Sequence, residues 1–232
     1  MPDIRENYLR VRQSIEDACT AAHRPADAVE LLAVSKRFPP EIIHEAIAAG
    51  HRVFGESRIQ EAEGKLPSLP PDLDWHFIGH IQKNKVRKVL QLFDTLHSVD
   101  SLALARRVDH IAGELGKRPK VFLQVNIAAE ESKHGFTPDG LRAQMADLLE
   151  LQNLEILGLM AIPPAVSDPA QSRPHFRAVR ELQHELGETH GCELPQLSMG
   201  MSGDYQVAIE EGSTIVRVGS SIFGQRPPLS AT

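Results

Sequence analysis

Eight short runs of apolar, strand-type residues alternate along this chain with segments whose apolar residues recur at helical spacing. Continuous or alternating apolar runs suit strands, and recurrence at i, i+3, i+4 and i+7 suits an amphipathic helix. The strand-type runs lie at 30–35, 52–54, 74–78, 95–98, 120–126, 156–160, 196–199 and 214–218. A helix precedes the first of them, with Ile4, Tyr8, Val11, Ile15 and Ala18 on one face. Between the runs, helices start at Pro40 with a stop at Gly50, span 57–65, and pass through Val86, Val89 and Leu90. Further helices carry Leu102, Ala105, Val108 and Ile111, start at the cap-and-proline pair Thr137-Pro138, and span roughly 171–189 and 205–211. Strands joined by helices run parallel and must be covered by those helices. Eight such units in 232 residues is the pattern of a (β/α)8 barrel. The alternative, a doubly wound sheet, normally carries a Gly-rich turn after its first strand. Here that turn is Lys36-Arg37-Phe38-Pro39-Pro40. The expected fold is therefore α/β, a single (β/α)8 TIM-type barrel with an extra N-terminal helix. It is expected to form one domain over residues 1–232.

The barrel sets where function belongs, because barrel ligands sit at the carboxyl ends of the strands. Lys36 ends the apolar run that includes Leu31-Leu32-Ala33-Val34 and so stands at that mouth. A lysine in a partly apolar site loses proton affinity by desolvation, and its neutral amine can condense with a carbonyl compound. A plain strand-end lysine is the competing reading. Two small-residue loops follow the last two strands: Ser198-Met199-Gly200-Met201-Ser202-Gly203-Asp204 and Gly219-Ser220-Ser221-Ile222-Phe223-Gly224. Glycines let backbone N–H groups approach an anion, serines add donors, and barrels often seat phosphate at this position. Each loop alone reads as an ordinary turn; together, next to a strand-end lysine, they read as a phosphate seat. Arg217 lies inside the last strand, two residues before Gly219 and hence on the same face. A guanidinium there can donate to a ring nitrogen and keep it unprotonated. A salt bridge to Glu56 or Glu210 is the competing reading for Arg217. Pyridoxal 5′-phosphate bound to Lys36 and a Schiff-base aldolase for a sugar phosphate both fit the lysine and the loops.

Composition narrows the partners. A net charge of −6 argues against nucleic acid as the main partner, since phosphate-backbone binding needs a basic surface. Two cysteines make no disulfide framework and suit a reducing compartment. The polar stretch Met1–Asn7 reads as no secretion signal, and no apolar run approaches the roughly 20 residues of a membrane helix. A cytoplasmic location is expected.

Several stretches together resemble the pyridoxal phosphate homeostasis protein family, single-domain relatives of the alanine racemase barrel. They are Leu32–Lys36, Phe54-Gly55-Glu56, Trp75–Lys85, Gln124–Ile127, Lys133, Gly135, Gly158–Pro163, Ser198–Ser202 with Asp204, and Val216–Gly224. They cover nearly the whole chain in order. The resemblance implies that Lys36 holds the cofactor as a Schiff base and that Arg217 partners its ring nitrogen. It implies phosphate contacts from Ser202, Gly219 and Ser220. Met199 is a candidate for contact with the cofactor. Ser57 stands where the family usually carries asparagine near the cofactor ring, and the shorter serine implies a water-bridged contact. The implied role is intracellular vitamin B6 homeostasis as a carrier, with cofactor-dependent apoenzymes as recipients and the monomer as the working form. An amino-acid racemase is the alternative. It needs a second base, and the chain has only Tyr8 and Tyr205 to offer, with no C-terminal β-domain; Tyr205 opens the helix after the seventh strand.

Other residues read as structural. His76 and His80 are four apart but straddle a strand end, with no acid or cysteine beside them, so they are not expected to bind a metal. Lys83, Lys85, Arg87 and Lys88 read as a solvated helix face. Asp204 reads as a helix N-cap.

Overall fold

A computed structural model describes residues 3–128, 130 and 133–225; the extreme ends of the expected domain, Met1-Pro2 and 226–232, lie outside the described residues. The chain opens with α1 (Ile4–Ala21), capped by Asp3, whose side chain accepts the Glu6 N–H. Eight strand–helix units follow: β1 (Glu30–Val34), α2 (Pro40–Ala48), β2 (Val53–Glu56), α3 (Ile59–Lys65), β3 (Asp74–Phe77), α4 (Val86–Leu92), β4 (Thr95–Val99) and α5 (Leu102–Leu115). The second half comprises β5 (Lys120–Val125), α6 (Pro138–Leu149), β6 (Glu155–Ala161), α7 (Arg173–His190), β7 (Gln196–Met201), α8 (Tyr205–Glu210), β8 (Ile215–Val218) and α9 (Ser220–Phe223). The strands pair in parallel and in sequence order, and β8 returns to β1 to close the barrel. The α/β barrel expected from the alternating pattern is the observed fold.

Strand alternation sorts side chains into two cores. Leu32, Phe122, Met160 and Ile215 fill the barrel interior. A larger cluster, including Phe54, Phe77, Val121, Leu159 and Val216 from the strands, packs between barrel and helices. The extra helix α1 packs on α2, α8 and α9. Asn7 donates from Nδ2 to the Ile222 carbonyl at 3.0 Å, and Gln206 donates to the Ser14 hydroxyl at 3.1 Å. Thus α1 braces α8, which follows the first small-residue loop, and α9, which lies within the second. Within the described residues no helix is long and apolar enough to cross a membrane.

Differences from the sequence reading sit at element ends. The loop after β8 contains a one-turn helix, α9, which is too short to carry a periodic signal. The third helix starts at Ile59 rather than Ser57, with Arg58 extended as its N-cap. Asp204 occupies the N-cap position of α8 but does not cap it. Its carboxylate accepts from the Met201 N–H at 2.8 Å and the Ser172 hydroxyl at 3.2 Å instead, pinning the loop after β7.

Candidate cofactor site

Lys36 follows β1 in a turn whose next residue, Arg37, has φ +70°. A left-handed conformation at a long side chain costs energy, so the surrounding structure must hold it. Buried Lys65 does this. Its amine donates to the carbonyls of Ser35 and Phe38, both at 3.1 Å, on either side of the Lys36–Arg37 pair. The same amine pairs with Glu56 at 2.7 Å and Glu61 at 2.9 Å, and Glu61 accepts the Arg37 N–H. Ser35 donates from its hydroxyl to Glu56 at 2.6 Å. Burial pushes the Glu56 carboxyl upward, against the pull of Lys65. The network fixes the backbone from which Lys36 projects. Lys36 itself is half-buried.

Arg217 is buried inside the barrel. Its Nη1 donates to the Ser198 carbonyl at 2.6 Å and the Ser198 hydroxyl at 2.7 Å, and its Nη2 donates to the Ala161 carbonyl at 2.9 Å. The salt-bridge reading fails, because Glu56 pairs with Lys65 and Glu210 with Arg173. Desolvation lowers the Arg217 pKa to about 10, with Asp204 opposing the shift. The group stays charged at neutral pH. Three of its five N–H groups are engaged in these bonds.

Register places Arg217 opposite Leu32, which belongs to the interior cluster. By the same parity Val34 shares that interior face, and Lys36 follows two residues later in the turn at the carboxyl end of β1. The Gly219 backbone lies against Val34: a Cβ on Gly219 would stand 3.2 Å from the Val34 carbonyl oxygen. Ring contact between Phe38 and Phe223, 5.3 Å between centroids, ties the lysine turn to α9. The Ser202 hydroxyl accepts from the N–H of Gly219 at 3.2 Å and of Ser221 at 3.5 Å. The two small-residue loops are therefore joined at a point where N–H groups converge on an oxygen. A cavity of about 490 Å³ adjoins it, lined by Ser202, Ser220 and Ser221 with Arg10 of α1 and Tyr205 of α8. An amine-bearing turn, a buried guanidinium on the neighbouring strand and amides joined to a serine hydroxyl supply chemistries that suit an aldehyde, a ring nitrogen and a phosphate on one ligand.

The same folding pattern matches known proteins. The chain matches the alanine racemase N-terminal domain family over residues 2–227. It is 43% identical over 222 residues to the pyridoxal phosphate homeostasis protein of Aquifex aeolicus (strain VF5), covering 95% of this chain and 97% of that one. It is 44% identical over 230 residues to the Pseudomonas aeruginosa protein of the same name, covering 97% of each. PipY of Synechococcus elongatus PCC7942, in its structure with PLP bound, superposes with a TM-score of 0.79 at 44% identity, over 90% of this chain and 100% of PipY. The chain belongs to the pyridoxal phosphate homeostasis protein family.

Within this family member, the expected site residues divide by position. Arg217, Ser202, Gly219 and Ser220 come together at the β7 and β8 ends. Ser57 is half-buried and lines a separate crevice of about 160 Å³ with His80, Gln82 and Lys85. Met199 is fully buried in the larger core, on the strand face opposite Ser198. It packs behind the wall that Ser198 faces. The basic cluster is partly neutralised: Arg87 pairs with Glu114, and Lys88 with Glu63 at 3.1 Å.

Sequence reasoning missed a buried polar chain beneath Arg217. The Ser198 hydroxyl lies 2.8 Å from His97 Nδ1, His97 Nε2 lies 2.9 Å from His76 Nδ1, and His76 Nε2 lies 3.3 Å from the Asp74 carboxylate. Burial holds the His97 imidazole neutral, its pKa well below the usual histidine range. Arg217 donates to the Ser198 hydroxyl, and the contacts continue from Ser198 through His97 and His76 to Asp74, so each ring nitrogen of the two imidazoles faces a polar partner. The available signal was period 2: His76 faces inward with Ile78, while His97 and Ser198 are polar residues inside strands.

Proposed function

We propose that this chain binds pyridoxal 5′-phosphate covalently on Lys36 and serves vitamin B6 homeostasis inside the cell as a carrier without robust catalysis. The observation that carries the reading is the placement of Lys36 in the turn at the carboxyl end of β1, next to β8 with its buried Arg217 and the joined Ser202–Gly219 loops. The bound group supplies an aldehyde that condenses with an amine and a ring that withdraws electrons. Lys36 provides that amine. Arg217, permanently charged, donates to the ring nitrogen without giving up its proton, which limits the ring as an electron sink. Ser202, Gly219 and Ser220 hold the phosphate; Ser57 reaches the ring edge through water, and Met199 packs behind the wall.

The racemase alternative needs a base on the far side of the ligand. Tyr8 is packed into the core at 3% exposure, and Tyr205, at 5%, borders the cavity shared by α1 and the serines of the phosphate seat, a cavity that Lys36 does not line. That favours the carrier. The proposed working form is a cytoplasmic monomer with one binding domain, handing the cofactor to dependent apoenzymes. Borohydride treatment followed by peptide mapping tests the attachment: the reduced cofactor should map to Lys36. An α-proton exchange rate on free amino acids above that of the cofactor in solution would favour the racemase. Trapping of a sugar phosphate with no pyridoxal absorbance would favour the aldolase.

A further inference from the structure

The expectation about metals concerned His76 and His80, and the fold separates that pair. His76 is buried in the polar chain inside the barrel, whereas His80 stands 44% exposed at the mouth. There it meets two residues distant in sequence. Its Nδ1 lies 3.3 Å from Asp100 Oδ2, and the His134 Nδ1 lies 3.8 Å from the same oxygen. One ligand atom from each residue lies within 4.8 Å of the other two. The three come from the loops after β3, β4 and β5, the catalytic face of such barrels.

The two imidazoles stack face to face, 3.9 Å between centroids and 13° between planes, and both turn Nδ1 toward the same Asp100 oxygen. A divalent ion between the three groups would use both nitrogens and the carboxylate at once, with the rings tilting apart to aim their lone pairs at it. Zinc bonds to nitrogen and oxygen are about 2.0–2.1 Å, so the edge of a tetrahedral site is about 3.3–3.4 Å. The His80–Asp100 separation already has that value, while His134, 3.8 Å from the same oxygen, would move closer and turn on binding.

The ligands are also held from behind, as metal ligands usually are. Ser101 donates to Asp100 Oδ1 at 3.1 Å, which leaves Oδ2 for the imidazoles. The Gly79 carbonyl, next to His80, accepts from the Ser98 hydroxyl, and the His134 carbonyl accepts from Gln124 Nε2 at 3.0 Å. Both histidines border a cavity of about 270 Å³ shared with Ile78, Gln124, Asn126 and Ile162, so an ion here would keep an open position.

We propose that His80, Asp100 and His134 form a site for one divalent transition ion of the zinc class, with an exchangeable position facing the barrel mouth. Two imidazoles and one carboxylate suit zinc or cobalt and discriminate against calcium and magnesium, which prefer all-oxygen shells.

The test uses the full chain after chelator treatment, titrated with ZnCl₂ by calorimetry and with CoCl₂ by visible absorbance. Using the metals alone makes the outcome independent of the cofactor reading. One equivalent should bind, with cobalt giving the intense bands of a four-coordinate site. H80Q and H134Q should each weaken binding more than about tenfold, since even supporting residues of metal sites are worth that much. Both histidines are exposed, so folding should survive, checked by metal-free melting curves. H44Q, on the exposed face of α2, should leave binding unchanged. Absence of saturable one-equivalent uptake, or uptake undiminished in both H80Q and H134Q, would overturn the proposal.

Discussion

Arg217 on β8 and Ser198 on β7 are joined twice, guanidinium to carbonyl at 2.6 Å and guanidinium to hydroxyl at 2.7 Å. The second bond continues into His97, so the charge beneath the candidate ring site is oriented by a buried chain rather than by a counter-ion. Replacing Arg217 with Leu strips the donor from two carbonyls and a hydroxyl. That should cost about 3 kcal/mol or more of stability and weaken cofactor binding. Ser198→Ala removes one link and leaves His97 Nδ1 without its partner, for about 1–3 kcal/mol and a smaller loss of binding. Urea midpoints and cofactor titrations read both; equal effects of the two variants would contradict the ordering.

The turn carrying Lys36 should fail when Lys65 is lost. Lys65→Met leaves the Glu56 carboxylate buried without its cation and frees the Ser35 and Phe38 carbonyls. Removing one partner of a buried pair costs about 3–5 kcal/mol. Lys65→Met with Glu56→Gln should recover part of that stability, and the rate of cofactor attachment should fall in both. A single variant as stable as the parent in denaturant would show that the pair is idle.

Stability should fall on acidification through buried histidine. Burial lowers the His51 pKa from 6.5 to about 4, while its Nε2 bonds the Val53 carbonyl at 2.6 Å. Between those values the unfolded chain binds the proton and the folded chain does not. Stability is therefore fully present above about pH 6.5 and is lost as pH falls towards 4, by about 3 kcal/mol in all. His97 adds to the loss in the same direction. Unfolding free energies at pH 7 and pH 5 measure this, and His51→Gln should shallow the slope; a slope unchanged by that substitution would assign the acid loss elsewhere.

Gly200 governs the placement of Ser202. It sits at φ +92°, and a Cβ there would stand 2.6 Å from the Ala208 methyl. Gly200→Ala should cost about 2 kcal/mol or more through backbone strain and contact with α8. It should also weaken cofactor or inorganic phosphate binding, because the loop moves away from the Gly219 amide. Phosphate affinity equal to that of the parent, in a destabilised variant, would separate the glycine from the site.

The barrel was legible in the sequence because alternation of strand and helix is a local signal repeated along the whole chain. Lys36 and the loops at Ser202 and Gly219 were legible because strand ends of a barrel are known positions once the strands are counted. The Lys65 support was not, since α3 reads as an ordinary amphipathic helix and its amine turns inward only through the closure of β1 on β2. The polar chain from Arg217 to Asp74 joins β8, β7, β4 and β3, and only barrel closure brings those strands within bonding distance. His80 and His134 are 54 positions apart, and nothing local to either marks the other. Asp204 shows the opposite case: its sequence context suits a cap, but tertiary partners at Met201 and Ser172 claim the carboxylate.

The central claim is that Lys36 is the covalent anchor of the cofactor. The most direct measurement is the absorbance spectrum of the purified chain incubated with pyridoxal 5′-phosphate, before and after Lys36→Ala. The account predicts a visible band for the parent that differs from free cofactor and disappears in the variant, while the variant's melting curve keeps its shape. A visible band that persists unchanged in Lys36→Ala, or a parent protein that acquires none, would contradict it.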